Sequence, residues 1–527
     1  KAFVLTADRS NLRHQKEGVE MFRSTPSFQL HRSSSRIKSA PGSYWPDATN
    51  PFEARVGLSE VVSALSFALD LTEDALPGHA LRSCILGMRI GIELGLHEAQ
   101  LNDLYYALLL KDIGCSSNSA SMCQVLGGDE RKAKGALKTI NWTDSALASA
   151  SWAWTYALPG KSPWRKILHL ASMTRHGERN KVDMFRARSE CGAEIVRRIG
   201  LGEGTASAIY SLDEHWNGGG FPDHLTATGI PLLARILAVA QHLDIFANEH
   251  GQFRAVESLK LRTRPWFTTQ LVQVAVSLHH TGKLCTGCNT PQERARVIDF
   301  EPGTPRTFGQ DQIDLLCEAF AEVVDAKSPM TYRHSIGVMQ AANAISGKLG
   351  LSPERRRAIH RAALLHDLGK LRVPNIILDK PGSLNEYEWR IVREHPLLSQ
   401  RILERIPSFA AIATISGRHH ERLDGNGYPN RLKADQLSLD DRTVTISDVF
   451  STLSEDRPYR ERMSLKEIRG VLRFHTPHKL DPTCLDALLV FMDELEAAQP
   501  DSSSRPALST RFTPAPLASP TSTHLPA

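Results

Sequence analysis

The C-terminal half of this 527-residue chain carries His334, the pair His366-Asp367, His395, the pair His419-His420, and Asp448. Neutral imidazoles and carboxylates are good ligands for Fe, Mn, Ni or Zn, and no thiolate is among them. Seven nitrogen and oxygen donors exceed what one ion with open positions needs. They suit two ions roughly 3.5–4 Å apart with Asp367 between them. Two cations at such a site lower the pKa of a bound water, so hydroxide is available near neutral pH. A lone histidine more often packs or faces solvent than ligates. The set carries the reading: His-Asp follows an AALL run, and His-His precedes a glycine-rich turn.

The elements that must position these groups read as helices. Residues 58–71 (LSEVVSALSFALDL), 81–94, 336–349, 354–365 and 397–406 place apolar residues at three- and four-residue intervals, and strand-like alternation is rare. The expected fold class is all-α. His366 and Asp367 end the apolar run 362–365, so they are placed where a helix ends and the core opens. Lys370 follows His366 by four residues, which puts a cation on the ligand's face if the helix continues. Adjacent helical residues diverge by about 100°, so His419 and His420 suit one ion and its neighbour, or a ligand and its supporting partner.

An internal repeat sets the architecture. NGGGFP (217–222) precedes ARILAVAQHLDIF as GNGYP (425–429) precedes DRTVTISDVF, and YYALLLKDIG (105–114) parallels HRAALLHDLG (360–369). His79 to Lys111 spans 32 residues, as does His334 to His366; Arg188 to Asp213 spans 25, as does His395 to His420; Asp213 to Gln241 spans 28, as does His420 to Asp448. The first copy differs by a long insertion between Asp112 and Arg188 and by its ligand positions. Lys111, Arg188, Leu212, Asp213 and Gln241 stand where the second copy has His366, His395, His419, His420 and Asp448. A lysine ammonium there opposes cation binding. The expected organisation is a leader (1–55), a degenerate helical copy without a metal site (56–250), a turn-rich connector with one helix near 268–278 (251–317), a second copy (318–497), and a proline-broken tail (498–527). The degenerate copy is expected to sense a ligand, form a dimer or support its neighbour. His176 and His215 lie nearby, but spacing does not place them as ligands.

Composition excludes several classes. The chain is 41% hydrophobic and 23% charged, enough to bury cores, and eight cysteines are too few for a disulfide scaffold. No apolar run reaches the roughly 18–20 residues of a membrane span; even 232–240 is broken by Arg235. KAFVLTADRSNLRHQK lacks the apolar stretch of a signal peptide. A charge of +5 from 63 basic and 58 acidic residues speaks of solubility, not of a nucleic-acid polymer as partner. Cytoplasmic location is expected, with no membrane contact. Cys285 and Cys288, after His279 and His280, form a single CxxC in a connector and read as plain loop more readily than as a zinc site.

The second copy resembles the HD-GYP branch of the HD phosphohydrolase superfamily through HSIGVM (334–339), LLHDLGKLRVPNIILDKPGSLNEYEW (364–389), REHPLLSQRIL (393–403), HHERLDGNGYP (419–429) and SDVFSTLSEDRPYR (447–460), closing around KLDP (479–482). Members of that family are all-helical, and many hydrolyse cyclic di-GMP. The resemblance implies one metal on His334, His366, Asp367 and Asp448, and a second on Asp367, His395, His419 and His420. It implies that Lys370 contacts the scissile phosphate, that Arg457 and Arg460 hold substrate phosphates, and that Gly425, Gly427 and Tyr428 form the loop touching substrate or a partner domain. Members with three metals carry a Glu where this chain has Met330, and Ser451 replaces a common acidic residue, so two ions are expected: Fe or Mn first, Ni or Zn as alternatives. The expected function is a metal-dependent cyclic di-GMP phosphodiesterase. The alternatives are an HD-type hydrolase of another cyclic dinucleotide or nucleotide, and a catalytically weak cyclic di-GMP receptor or scaffold. Diguanylate cyclase domains and a second copy of the chain are candidate partners.

Overall fold

The computed structural model describes residues 56–142, 145–174, 177–284, 296–329, 331, 333–456 and 461–498. The expected leader, nearly all of the expected tail, His176, Cys285, Cys288, Met330, Arg457 and Arg460 lie outside the described residues. Within them the fold is all-α. One antiparallel ribbon pairs Val56–Gly57 with Thr307–Phe308, Val56 standing opposite Phe308. No described helix is long and apolar enough to cross a membrane.

The helix Pro353–Leu365 shows how local sequence builds the scaffold. Ser352 caps it by accepting from the Arg355 N–H, and Pro353 stands in its first turn. Ala358, Ile359, Ala362, Ala363 and Leu365 then bury one face. That face packs on His334–Lys348, Ala410–Arg418 and Leu439–Ser454. A second cluster closes the C-terminal end, where Leu465–His475 and Pro482–Ala497 cover Ile345, Phe450 and Leu453.

The two halves run through a parallel series of elements. His79–Glu93 and His334–Lys348 have 15 residues each, and Glu98–Leu110 and Pro353–Leu365 have 13 each. Both glycine-rich loops close on a glutamate. Asp223 and Leu225 N–H groups donate to Glu214 (2.7 and 2.9 Å), as Asn430 and Leu432 N–H groups donate to Glu421 (2.6 and 2.9 Å). The insertion in the first half folds into helices Ser119–Leu126, Glu130–Leu137, Ala146–Tyr156 and Pro163–Thr174.

One apolar core runs through both halves, joining Leu65, Leu108 and Leu237 to Phe320, Leu364 and Leu403. The segment 251–317 differs from its expectation as turn-rich with one helix. It holds helices Gln252–Leu261 and Thr269–His280 and the start of Gln310–Asp325, because Ala255, Val256 and Leu259 sit at helical spacing and enter that core. A buried polar contact also crosses the junction. Glu130 accepts from Lys327 Nζ (3.0 Å) and from the Asn375 N–H (3.0 Å), with Glu130 and Lys327 at most 1% exposed. Removing one partner leaves a buried ammonium uncompensated. Glu130→Ala is therefore expected to cost about 3 kcal/mol, read from the denaturant midpoint, and Glu130→Ala/Lys327→Met should recover most of it.

Candidate metal centre

Six of the seven candidate ligands sit at helix ends and one sits mid-helix. His334 opens His334–Lys348, His366 and Asp367 follow Leu365, His395 opens His395–Leu403, and His419 and His420 follow Arg418. Asp448 projects from the middle of Leu439–Ser454. None of the seven is more than 8% exposed.

The structure brings all seven together around Asp367. Its Oδ2 lies 3.1 Å from His366 Nε2 and 3.7 Å from His334 Nε2, while Oδ1 lies 3.1 Å from His395 Nε2 and 3.7 Å from His419 Nε2. Asp448 closes both sides, with Oδ1 3.1 Å from His334 Nε2 and Oδ2 3.6 Å from His420 Nδ1. Backbone carbonyls fix the tautomers. Nδ1 of His366, His395 and His419 lies 2.7, 2.6 and 2.6 Å from the carbonyls of Ala363, Val392 and Ser416. A carbonyl only accepts, so each Nδ1 carries the hydrogen and each Nε2 turns a lone pair inward.

This donor set fits metal ions. His366 Nε2, Asp367 Oδ1 and His420 Nδ1 are buried and make no hydrogen bond. His395 Nε2 and His419 Nε2 face each other at 3.2 Å, lone pair to lone pair, which a cation between them would relieve. Three overlapping groups have ligand atoms close enough to share an ion: His334, His366 and Asp448; His366, Asp367 and His419; His395, His419 and His420. Burial lowers the pKa of His395 and His419 and pushes His420 down to about 3, so these rings are neutral donors at neutral pH. Burial opposes ionisation of Asp367, yet His366 and Lys370 hold its carboxyl well below the usual carboxylate range. Burial would likewise lower His334, but Glu455 and Asp448 carry it up to about 10.

Two local expectations are corrected. The helix does not continue through Lys370; it stops at Leu365 and tightens into a 3-10 turn, Leu368–Arg372. Ser399 takes over the helix end, accepting from the Gly369 N–H (2.9 Å) and donating to the His366 carbonyl (2.7 Å). Lys370 consequently pairs with Asp367 rather than lying along His366. The divergence expected of His419 and His420 also fails, because both lie past the last helical residue; their ring centroids are 4.1 Å apart and both face His395.

The glycine-rich loop lies over this pair. Gly425 has a φ of +72°, and a Cβ on Gly427 would stand 2.5 Å from Glu421 Cα and 2.6 Å from the His420 carbonyl. Only glycine fits there. Tyr428 is thereby held with its ring 4.7 Å from that of His420.

A family model described as HD domain matches residues 154–259 and 318–484. The 3'3'-cGAMP-specific phosphodiesterase 3 of Vibrio cholerae is 36% identical over 439 residues, covering 82% of this chain and 94% of its own. This chain belongs to the HD-GYP branch of the HD domain family. As an HD-GYP protein it is a metal-dependent phosphohydrolase. The crystal structure of a cyclic GMP-AMP-specific phosphodiesterase of V. cholerae matches with a TM-score of 0.59 and 33% identity, over 84% of this chain and 98% of that one. The cyclic di-GMP phosphodiesterase response regulator RpfG of Xanthomonas campestris pv. campestris is 39% identical over 157 residues, 29% of this chain and 42% of its own.

Sequence reasoning on the HD-GYP half missed Glu455, whose Oε1 lies 2.9 Å from His334 Nδ1 and accepts from Ser451 Oγ (2.7 Å). The acidic group absent at Ser451 is supplied one turn later, a signal present in the four-residue spacing. In the first half, Lys111, Asp112, Arg188, Asp213 and Gln241 do converge, but around cations. Arg188 bridges Asp112 (3.2 Å) and Asp213 (2.8 Å), and Lys111 pairs with Asp112. Lys138, from the insertion, pairs with Glu73 and donates to Gln241 (2.9 Å). His79 turns away to Asp244 at 2.7 Å. Glu73 and Lys138 had no counterpart in the repeat to point them out.

Proposed function

We propose that this HD-GYP protein cleaves the phosphodiester bonds of a cyclic dinucleotide, with 3'3'-cGAMP as its first substrate. The observation that carries the reaction class is Asp367, whose two oxygens face separate groups of imidazoles. One ion would be held by His334, His366, Asp367 and Asp448, and the other by Asp367, His395, His419 and His420. Bound there, two divalent ions supply a low-pKa water and offset phosphate charge; the all-N/O donor set favours Fe or Mn over thiolate-seeking ions, with Ni or Zn as alternatives. The chain's own residues do the rest. Asp367 and Asp448 keep the cavity anionic and aligned, and the fixed tautomers of His366, His395 and His419 keep their inward nitrogens available. Lys370, on the rim beside Asp367, places an ammonium where a phosphate oxygen gains charge. Tyr428 offers a ring against which a base can pack. Arg457 and Arg460 are assigned to the outer phosphates.

The choice of 3'3'-cGAMP is supported by the V. cholerae relative that aligns over most of both chains and bears that specificity in its name. Cyclic di-GMP is the second reading, supported by relatives named for it that match about a third of the chain. The test is anaerobic purification, metal analysis, and turnover of both compounds. About two ions per chain and a higher kcat/KM for 3'3'-cGAMP are expected. Tight binding without turnover by the metal-loaded protein would replace the enzyme with a receptor.

Glu455 supports His334 from behind, so Glu455→Gln is expected to weaken one of the two metal sites by roughly 10–100-fold, measured by titration against a competing chelator, with the other site unchanged.

A further inference from the structure

We infer that the N-terminal half contains a second nucleotide site, one that binds without hydrolysing. A cavity of about 720 Å³ lies between the helices of the insertion and the residues that replace the metal ligands. Its volume falls in the roughly 300–1,000 Å³ range of small-molecule sites. The insertion supplies much of its wall, and the metal-centre half has only a short connection between Asp367 and His395 at the matching place.

Three observations specify the ligand. Flat aromatic faces line the space: Trp142 lies parallel to Phe185 (5.5 Å, 16°), while Trp266 already carries His215 at 4.0 Å and the Arg262 guanidinium at 4.3 Å, so Trp142 is the face for a ligand. Three lining side chains, Asn118, His215 and His242, are 8%, 6% and 4% exposed, and each holds an atom without a hydrogen-bond partner: Oδ1, Nδ1 and Nε2. Buried polar atoms are rarely left so, and three around one cavity mark groups awaiting a partner. Four cations line the cavity, Lys134, Lys138, Lys181 and Arg188, against two carboxylates, Glu73 and Asp213. Faces for stacking, donors and acceptors for a heterocycle's edge, and a surplus of positive charge together describe a purine nucleotide. Glu73, Asp112 and Cys115 lie close enough to share an ion, but Lys111, Lys138 and Arg188 pair with Glu73, Asp112 and Asp213 and oppose one, so the bound phosphoester stays intact.

The ligand is either an intact cyclic dinucleotide or a mononucleotide product; that choice of probes rests on the function proposed above, while the cavity does not. The test uses the full chain carrying Asp367→Asn, with chelator, so that nothing is consumed. Equilibrium dialysis and tryptophan fluorescence are read with 3'3'-cGAMP, cyclic di-GMP, GMP and AMP. One probe is expected to bind at one equivalent in a site that Tyr428→Ala leaves within twofold. Trp142→Ala should weaken it by roughly 5- to 150-fold, the worth of one base stack. His242→Gln is the milder variant should Trp142→Ala fail to fold, and it should weaken binding at least about fivefold, the value of one hydrogen bond. Absence of saturable binding by all four probes overturns the inference, as does binding that Tyr428→Ala removes and His242→Gln spares. Intact hydrolysis with no such binding sinks this site alone; binding without hydrolysis in the unsubstituted enzyme sinks the phosphodiesterase reading alone.

Discussion

Asp367→Asn is expected to lower kcat by about 10⁴-fold or more and to release both ions rather than one. The substitution preserves shape and removes charge. One carboxylate oxygen, shared with the His334 and His366 side or with the His395 and His419 side, becomes an amide nitrogen that cannot ligate. The oxygen that remains is neutral and a poorer ligand for the ion on its side. Asp448 also reaches both sides, lying 3.1 Å from His334 and 3.6 Å from His420, but Asp367 has four rings within 3.7 Å, two on each oxygen. A His334→Ala variant, by contrast, should retain the ion held by His395, His419 and His420. The fold should survive Asp367→Asn, because the change takes a buried charge out of a site that is 1% exposed. Metal analysis and single-turnover rates decide the matter. Two ions retained, with a rate within tenfold of the parent, would mean that Asp367 does not hold the pair.

The two halves show two answers to one electrostatic demand. Each buries carboxylates at the end of the helix that follows the apolar run, Asp112 after Leu110-Lys111 and Asp367 after Leu365-His366. In the first half, burial disfavours the Asp112 anion, yet Lys111, Lys138 and Arg188 hold it well below the usual carboxylate range. In the second half, imidazoles stand at most of those positions, and the chain's own positive charge near Asp367 and Asp448 comes from Lys370 and His334. In the sequence this difference shows as Lys111 at the position that the repeat matches to His366. Lys138 escaped because it comes from the insertion, which has no counterpart in the repeat.

Most of the architecture was legible for a physical reason. Helical periodicity and the paired spacings are regular inside elements, and the apolar run 362–365 leads into His366-Asp367 where the helix does end, at Leu365. What spacing could not convey lies where helices end. The direction of Lys370 depends on Ser399 capping the chain at Gly369, some thirty residues away in sequence. The convergence of His419 and His420 likewise depends on the helix stopping at Arg418. The helix Gln252–Leu261 was overlooked because charged residues interrupt its short apolar face, and only packing against Leu232–His250 shows it as core.

Lys370→Ala is expected to lower kcat by roughly 10²–10³-fold, the usual worth of one preorganised charge facing the transition state, while metal content stays at two and KM shifts little. The 3-10 turn that ends at Arg372 carries the ammonium to the edge of the cluster, where its side chain is 18% exposed against 2% for Asp367. A group so placed pairs with the carboxylate and still reaches a phosphate in the open part of the cavity. Its contribution grows as charge builds on the phosphoryl oxygens, which is why the loss should fall on kcat rather than on binding. Lys370→Arg should recover part of the rate, since charge is kept while the compact ammonium geometry is not. If metal content fell together with activity in Lys370→Ala, the lysine would act by holding Asp367 in position, and the assignment of its charge to the scissile phosphate would be withdrawn.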